Sequence, residues 1–161
     1  MLERRRALGQ DRHDEVWEGV LHMSPSPSRR HAELVAQLLE LFGPLARAAG
    51  LTPSANFNLG DHETDFRVPD GGLHRPGAAE VWLPTAALAI EIVSPGDETW
   101  QKLPFYAAHD VDEVLIVDPQ KRSIDWLALH EGEYRPVDRS GLIDLGVSEL
   151  SEQLKWPPAR D

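Results

Sequence analysis

Apolar positions along the first third of the chain recur with the spacing of an α-helix. Between Arg29 and Ala49 they fall three or four residues apart, at Leu34, Val35, Leu38, Leu39, Phe42 and Leu45. Ser28 is suited to cap the start of such a helix, and Gly50 to end it. The pattern therefore predicts one long amphipathic helix near the N-terminus.

Strand-like segments lie on both sides of this helix. The run EVWEGVLHMS before it predicts a β-hairpin, and the run SIDWLALHEGEYRPV late in the chain predicts another that turns near Gly132. The apolar runs ALAIEIVS and EVLIVDP predict two strands buried on both faces, and the segments SANFNLG and TDFRVPD predict half-buried strands. The Gly- and Pro-rich segment from 70 to 84 predicts a long loop.

Two shorter helices complete the pattern, one that ends near Ala108 and one around the C-terminal run SELSEQL. This order of elements predicts a single α/β domain: a mixed β-sheet core flanked by helices, with an N-terminal β-hairpin. A length of 161 residues agrees with one domain. We expect a flexible segment over residues 1–13, the domain over 14–155 and a tail over 156–161.

Composition excludes several classes of chemistry. The sequence contains no cysteine, so a disulfide framework, a Cys-bound zinc and a Cys nucleophile are excluded. No apolar run approaches the roughly 20 residues that span a membrane, and the basic N-terminus lacks the apolar core of a signal peptide. We expect a soluble cytoplasmic protein with no membrane contact.

The net charge of −11 is unevenly distributed. Residues 1–50 carry seven basic and seven acidic side chains, whereas residues 51–161 carry nine basic and twenty acidic ones. An acidic surface repels polyanions unless basic groups cluster locally. The charge thus opposes a general nucleic-acid binder but allows a site in which carboxylates hold metal ions.

One acidic residue interrupts a strand that is predicted to be buried. Glu91 lies inside ALAIEIVS, where an unpaired carboxylate is costly to desolvate. Asp70 ends an earlier strand, and two carboxylates on adjacent strands can share Mg²⁺ or Mn²⁺, with the Ile92 carbonyl as a further ligand. Lys102 follows on the next helix and is suited to assist a metal-activated water; Tyr106, four residues on, lies on the same helix face.

These residues resemble a known group of nucleases. The pattern PD…ExV…K…Y is similar to the PD-(D/E)xK nuclease superfamily, and the chain resembles most closely the Uma-two family of putative restriction endonucleases. The matching segments, which cover most of residues 14 to 137, are EVWEGVLHMSPSPSRRH, FRVPD, IEIVSPGDETWQKLPFYAAHDVDEVLIVDP and EGEYRPV. The resemblance implies a restriction-endonuclease-like fold with Asp70 and Glu91 as metal ligands. The superfamily's usual lysine position holds Val93, and Lys102 matches the alternative position on the following helix.

Each candidate also has a structural explanation. Asp70 can close a turn by bonding its own backbone, Glu91 can belong to a buried ion pair with Lys102, and Tyr106 can serve core packing. His31 matches a family position and is a second-rank site residue together with Tyr106, although a histidine at the edge of the core is its simpler interpretation.

Further charged residues stay open to two interpretations. Glu18 and Glu33 can supply an extra carboxylate or be solvated surface acids. Arg29 and Arg30 lie at a helix N-terminus, where cations are disfavoured, so they serve either phosphate contact or solubility. The acidic pair at 97–98 suits a helix N-terminus better than a metal site.

The sequence therefore predicts a Mg²⁺-dependent DNA endonuclease that hydrolyses phosphodiesters. Residues 71–84 and the N-terminal hairpin would frame the DNA. We expect a homodimer, because duplex cleavage needs two active sites, with Trp82 and Trp126 as candidates for the interface. The alternatives are a catalytically silent binding or regulatory module with a nuclease-like fold, and a hydrolase of a small phosphoester.

Overall fold

A computed structural model describes residues 2–9, 11–24, 26–77, 80–96 and 98–158. Asp97 and the last three residues of the tail expected at 156–161 lie outside these ranges. The four α-helices described are α1 (Leu2–Ala7), α2 (Arg29–Ala48), α3 (Leu103–Ala108) and α4 (Val147–Gln153). A 3₁₀ turn over Thr99–Lys102 leads directly into α3.

The strands form two mixed sheets, so the predicted α/β domain is confirmed but its strands are divided. The six-stranded sheet has the order β11-β10-β9-β8-β6-β3, with β3 (Thr52–Ala55), β6 (Gly71–His74), β8 (Leu88–Ile92), β9 (Glu113–Asp118), β10 (Ser123–His130) and β11 (Glu133–Pro136). The five-stranded sheet has the order β2-β1-β5-β4-β7, with β1 (Glu15–Trp17), β2 (Val20–His22), β4 (Asn58–His62), β5 (Asp65–Arg67) and β7 (Trp82–Leu83). Within the described ranges, each sheet has one parallel pair, β8 with β9 and β4 with β7.

Strands β8 and β9 are buried along their whole length, as their continuous apolar runs predict. On one face, Leu88, Ile90 and Ile92 pack against the apolar side of α2. On the other face, Ala89 packs in a second cluster with Tyr106 of α3 and Leu59 of the five-stranded sheet. Because side chains alternate along a strand, Glu91 lies on this second face, between the two sheets.

The ends of the long helix agree with the sequence pattern. The hydroxyl of Ser28 accepts a hydrogen bond from the backbone N–H of His31, 3.3 Å away. Gly50 follows the C-cap residue and has a φ of +73°, a conformation that costs glycine little. Helix α2 therefore begins at a fixed point, which places His31 in its first turn.

Both predicted hairpins are present, and each turns through two residues with positive φ. The first turn contains Glu18 (φ +47°) and Gly19 (φ +84°), and the second contains Glu131 (φ +51°) and Gly132 (φ +81°). Two residues with positive φ match the right-handed twist of the flanking strands. The first hairpin thereby fixes the register of β1, which carries Glu15.

The prediction of a long loop from 70 to 84 is wrong, because strands β6 and β7 lie within it. Glycine is required at Gly72, where a Cβ atom would come within 2.6 Å of the Leu88 carbonyl oxygen and 2.7 Å of the Phe57 ring. The glycines that suggest a loop are therefore the residues that let β6 pack closely between β3 and β8.

The expectation that Trp126 is exposed at an interface is also wrong. Its side chain is 1% exposed, stacks near Phe42 and donates its indole N–H to Glu113, 2.7 Å away. Alternation along β10 turns it toward the core, beneath α2. Trp82 is half-buried and packs edge-on against Phe66.

The N-terminal segment, expected to be flexible, contains helix α1 and contacts the domain. Arg5 donates to the carboxylate of the buried Asp14 at 2.6 Å and to the carbonyl oxygen of Ser24 at 3.2 Å. These contacts hold the segment beside the first hairpin. Across the described part of the chain, no helix combines the length and apolar character needed to cross a bilayer.

Candidate active site

Asp70 lies next to Glu91 because of the pairing between β6 and β8. These antiparallel strands pair Gly71 with Ile90, so Asp70, which precedes Gly71, and Glu91, which follows Ile90, come to the same end of the paired strands. The Asp70 backbone N–H donates to the Ile90 carbonyl at 3.0 Å. The sheet therefore brings together the two carboxylates that the sequence separates.

The Asp70 carboxylate is held by partners from two other elements. Its Oδ2 accepts the backbone N–H of Ile92 at 2.8 Å, and its Oδ1 lies 2.7 Å from Nε2 of His31. The histidine's other ring nitrogen, Nδ1, lies 3.5 Å from the Ser94 hydroxyl. These contacts go to β8, to the residues that follow it and to the first turn of α2, so Asp70 is fixed by the tertiary structure rather than by a local turn.

Glu91 is 3% exposed and has two donors. Lys102 Nζ lies 3.1 Å and 3.2 Å from its two oxygens, and the Tyr106 hydroxyl donates to Oε1. Burial raises the pKa of Glu91 to about 7; the Lys102 cation opposes this shift, and the charges of Asp70 and Glu15 add to it. The cost of burying this carboxylate is therefore only partly offset by its neighbours.

Lys102 reaches the carboxylates from the end of the 3₁₀ turn. Pro104 lies in the first turn of α3, where the backbone N–H groups have no hydrogen-bond partner within the helix. The proline therefore does not interrupt the helix or displace Lys102. Burial alone would lower the pKa of Lys102, but the carboxylates of Glu91 and Glu15 outweigh it and raise that pKa. The side chain is therefore a cation at neutral pH.

Tyr106 of α3 lies four residues after Lys102, and both side chains contact Glu91, as the spacing predicts. Its ring is fully buried in the cluster beneath β8. Burial raises the pKa of its hydroxyl, and the charge of Glu91 raises it further, so the hydroxyl stays protonated and donates. Tyr106 thus packs in the core and also contacts the candidate site.

Sequence reasoning missed a third carboxylate, that of Glu15 in β1. This side chain is 4% exposed, and its Oε1 lies 2.8 Å from Lys102 Nζ. The acids considered instead lie elsewhere: Glu18 is in the exposed hairpin turn, and Glu33 is an exposed partner of Arg29. The sequence did contain one indication of this role: Glu15 lies within a predicted strand, where a side chain is held more rigidly than in a turn.

The three carboxylates and Lys102 border a solvent-accessible cavity of about 280 Å³. His31 lines the same cavity, and the loop that leads into α2 forms another part of its wall. A phosphate group is small enough to enter a space of this size. The cavity therefore gives solvent access to an otherwise buried group of charges.

The donor atoms suit a hard divalent cation. Among the described residues, His, Cys, Asp and Glu side chains form no group of three or more with the arrangement of a metal site. Magnesium, however, is commonly held by one or two carboxylates and keeps several waters. Asp70 and Glu91 supply two such carboxylates beside a cavity, so the residues fit this ion; the Ile92 carbonyl as a further ligand stays a prediction.

Comparison with models of known protein families shows the family of this chain. The model of the Uma2 family, described as "putative restriction endonuclease", matches residues 2–155. The chain belongs to the Uma2 family. The matched range includes the six site residues discussed above and also helix α1, so the Uma2 match extends further toward the N-terminus than the sequence motifs did.

A solved structure shares the fold. A "putative nuclease" from Anabaena variabilis superposes with a TM-score of 0.65 and 16% identity, over 87% of this chain and 90% of that one. At this identity the likeness shows the fold alone, and it agrees with the restriction-endonuclease-like fold expected of the Uma2 family. The DrdV–DNA complex matches with a TM-score of 0.40 and 16% identity, over 79% of this chain and 12% of that one. No curated protein matches the chain significantly.

Proposed function

We propose that this Uma2 protein is a metal-dependent DNA endonuclease. The observation that carries the proposal is the meeting of Asp70, Glu91 and the Lys102 cation at one solvent-accessible cavity. They come from separate elements, and the buried Glu91 has a pKa raised to about 7 by burial. A carboxylate with a perturbed pKa beside a lysine in a cavity favours a functional site over a structural one.

Asp70, Glu91 and the Ile92 carbonyl would hold Mg²⁺ or Mn²⁺. A divalent cation here supplies positive charge that activates the attacking water and stabilises negative charge on the phosphoryl oxygens. Lys102 orients that water or stabilises the charge that develops as the phosphodiester bond breaks. His31 holds Asp70 in place and Tyr106 holds Glu91, so the rotamers of both carboxylates are fixed before substrate binds.

The arginines around the cavity support DNA as the substrate. His13 and Ser28 line the cavity. The exposed Arg12 precedes His13, and the exposed Arg29 and Arg30 follow Ser28. In a chain with a net charge of −11, we propose that these arginines form a rim that binds a phosphate backbone, with Arg29 exchanging its present partner Glu33 for a phosphate. A small phosphoester would not need this rim.

Duplex cleavage requires two active sites, so we propose that the protein acts as a homodimer. Sedimentation analysis of the protein, alone and with a short duplex, measures this directly. A protein that stays monomeric in both states and nicks only one strand would overturn the dimer but not the endonuclease activity.

One observation favours a catalytically silent module instead. Both oxygens of Asp70 and both oxygens of Glu91 already have protein partners, so the group of charges is satisfied without a metal. In that case Glu91 and Lys102 form a structural ion pair, and the protein binds DNA without turnover.

Plasmid cleavage separates these functions. Supercoiled DNA is incubated with the protein and Mg²⁺ or Mn²⁺, and the parent is compared with Asp70→Asn. We expect nicked or linear products from the parent and at least a hundredfold slower cleavage by the variant. Equal activity in both proteins would rule out this site, and DNA binding without cleavage by the parent would favour the silent module.

A further inference from the structure

The proposed mechanism gives no role to Glu15, although it is among the most firmly held side chains at the site. Its Oε1 accepts the backbone N–H of Val68 at 2.8 Å and lies 2.8 Å from Lys102 Nζ. Its Oε2 accepts the indole N–H of Trp17 at 2.7 Å. Three donors fix the orientation of this carboxylate, which is 4% exposed.

The ion pair of Glu15 with Lys102 connects the two sheets. Glu15 belongs to β1 of the five-stranded sheet, whereas Lys102 follows β8 of the six-stranded sheet through a short turn. Lys102 therefore contacts two carboxylates, one from each sheet. The distance to Glu15 Oε1, 2.8 Å, is shorter than the distances to the Glu91 oxygens, 3.1 and 3.2 Å.

We propose that Glu15 is the positioning residue for Lys102: it holds the ammonium at the active site independently of Glu91. This inference rests on the proposed function for its catalytic meaning. Glu91 cannot hold Lys102 fully while its oxygens also serve a cation, whereas Glu15 has no second task. Its oxygens are turned to Val68, Trp17 and Lys102, an arrangement that suits an anchor better than a metal ligand.

The variants must remove the charge of Glu15 without creating a new conflict. In Glu15→Gln the amide NH₂ would face the Trp17 indole N–H, donor against donor. Trp17→Phe removes that donor and keeps an aromatic ring beside His22 and Arg67. Trp17→Phe is therefore the matched control, and Glu15→Gln/Trp17→Phe is the test variant.

The readout is the order of the lysine side chains, measured by NMR relaxation at ¹³Cε and ¹⁵Nζ. The chain has three lysines, and the exposed Lys121 and Lys155 serve as internal references. In Trp17→Phe we expect Lys102 to stay far more ordered than the references. In Glu15→Gln/Trp17→Phe its order falls toward theirs, and adding Mg²⁺ lowers it further. Equal order of Lys102 in the two proteins would overturn the proposal, whether or not the protein cleaves DNA.

Metal affinity and cleavage complete the test. We expect Mn²⁺ affinity to agree within about threefold between the two proteins, while the single-turnover cleavage rate falls about 10- to 100-fold. In a Lys102→Met background the Glu15 change has no additional effect on the rate, since both act through one group. A tenfold or greater loss of Mn²⁺ affinity would make Glu15 a metal ligand instead. Absence of cleavage by the parent would contradict the proposed function, and the NMR comparison would still decide the role of Glu15.

Discussion

The ammonium of Lys102 lies 3.1 Å from Oε1 of Glu91, although the two residues belong to different elements. The chain leaves β8 at Ile92 and, after a segment in which Pro95 and Gly96 are exposed, forms the 3₁₀ turn that ends at Lys102. This return places a cation beside Glu91, while Val93, two residues after Glu91 in the sequence, carries no charge.

Replacing Lys102 with methionine should remove this charge while keeping the length of the side chain. We expect the cleavage rate to fall about 100- to 1000-fold, because a preorganised positive group is lost. Single-turnover cleavage measures the effect, and Lys121→Met, at an exposed position, is the control. If both variants cleave like the parent, Lys102 has no catalytic role.

Metal binding should depend on pH through Glu91. Burial raises the pKa of Glu91 to about 7, and a ligand must lose its proton to bind a metal. Mn²⁺ affinity therefore rises about tenfold per pH unit below pH 7 and levels off above it, as measured by calorimetry or electron paramagnetic resonance.

Tyr106→Phe tests the assignment of that pH dependence. The hydroxyl of Tyr106 donates to Glu91 and so lowers its pKa. Without it, the midpoint of the affinity profile moves to higher pH. A profile that is flat between pH 5 and 9, or a midpoint that Tyr106→Phe moves to lower pH, would contradict the role of Glu91.

His31→Ala should weaken metal binding without removing a ligand. His31 Nε2 lies 2.7 Å from Asp70 Oδ1, and the loss of such an outer partner costs about 10- to 100-fold in metal affinity. His130→Ala, at an exposed position on β10, should bind like the parent. An unchanged metal affinity in His31→Ala would mean that His31 has only a structural role.

The arginines at the rim of the cavity should contribute to DNA affinity by neutralising phosphates. We expect Arg12→Gln/Arg29→Gln to weaken binding and to reduce the slope of log K against log salt by about 0.9 for each phosphate that is no longer neutralised. Arg47→Gln/Arg135→Gln changes the net charge equally, at exposed positions near the end of α2 and on the edge strand β11. Titrations at several salt concentrations compare the pairs, and identical slopes would exclude a specific role for the rim.

Gly72→Ala should destabilise the fold, because the new Cβ atom would lie 2.6 Å from the Leu88 carbonyl oxygen. Overpacking of this kind typically costs about 1–3 kcal/mol. Gly77→Ala has open space, with its nearest contact at 3.9 Å, and should stay within about 0.5 kcal/mol of the parent. Urea unfolding measures both variants, and equal midpoints would mean that β6 can move away from β8.

Tertiary structure reversed two sequence-based interpretations. The glycines near 71–72 have the composition of a loop, but the neighbouring strands and the Phe57 ring leave room only for glycine in a strand. The sequence around Trp126 does not show that this side chain is buried, because its partners Phe42 and Glu113 come from other elements. In both cases the deciding contacts are with residues far away in the chain.

Local patterns determined the elements that form the site. The sequence by itself predicted the long helix with its Ser28 cap, the two hairpins, the buried strands and the isolated Glu91, because apolar periodicity and turn chemistry depend on near neighbours. Only the tertiary structure decided that β6 pairs with β8 and so brings Asp70 to the same cavity as Glu91, and that Glu15 and Glu91 both contact Lys102. Strand register and the approach of two sheets depend on packing between distant segments, and this packing leaves no periodic signal along the chain.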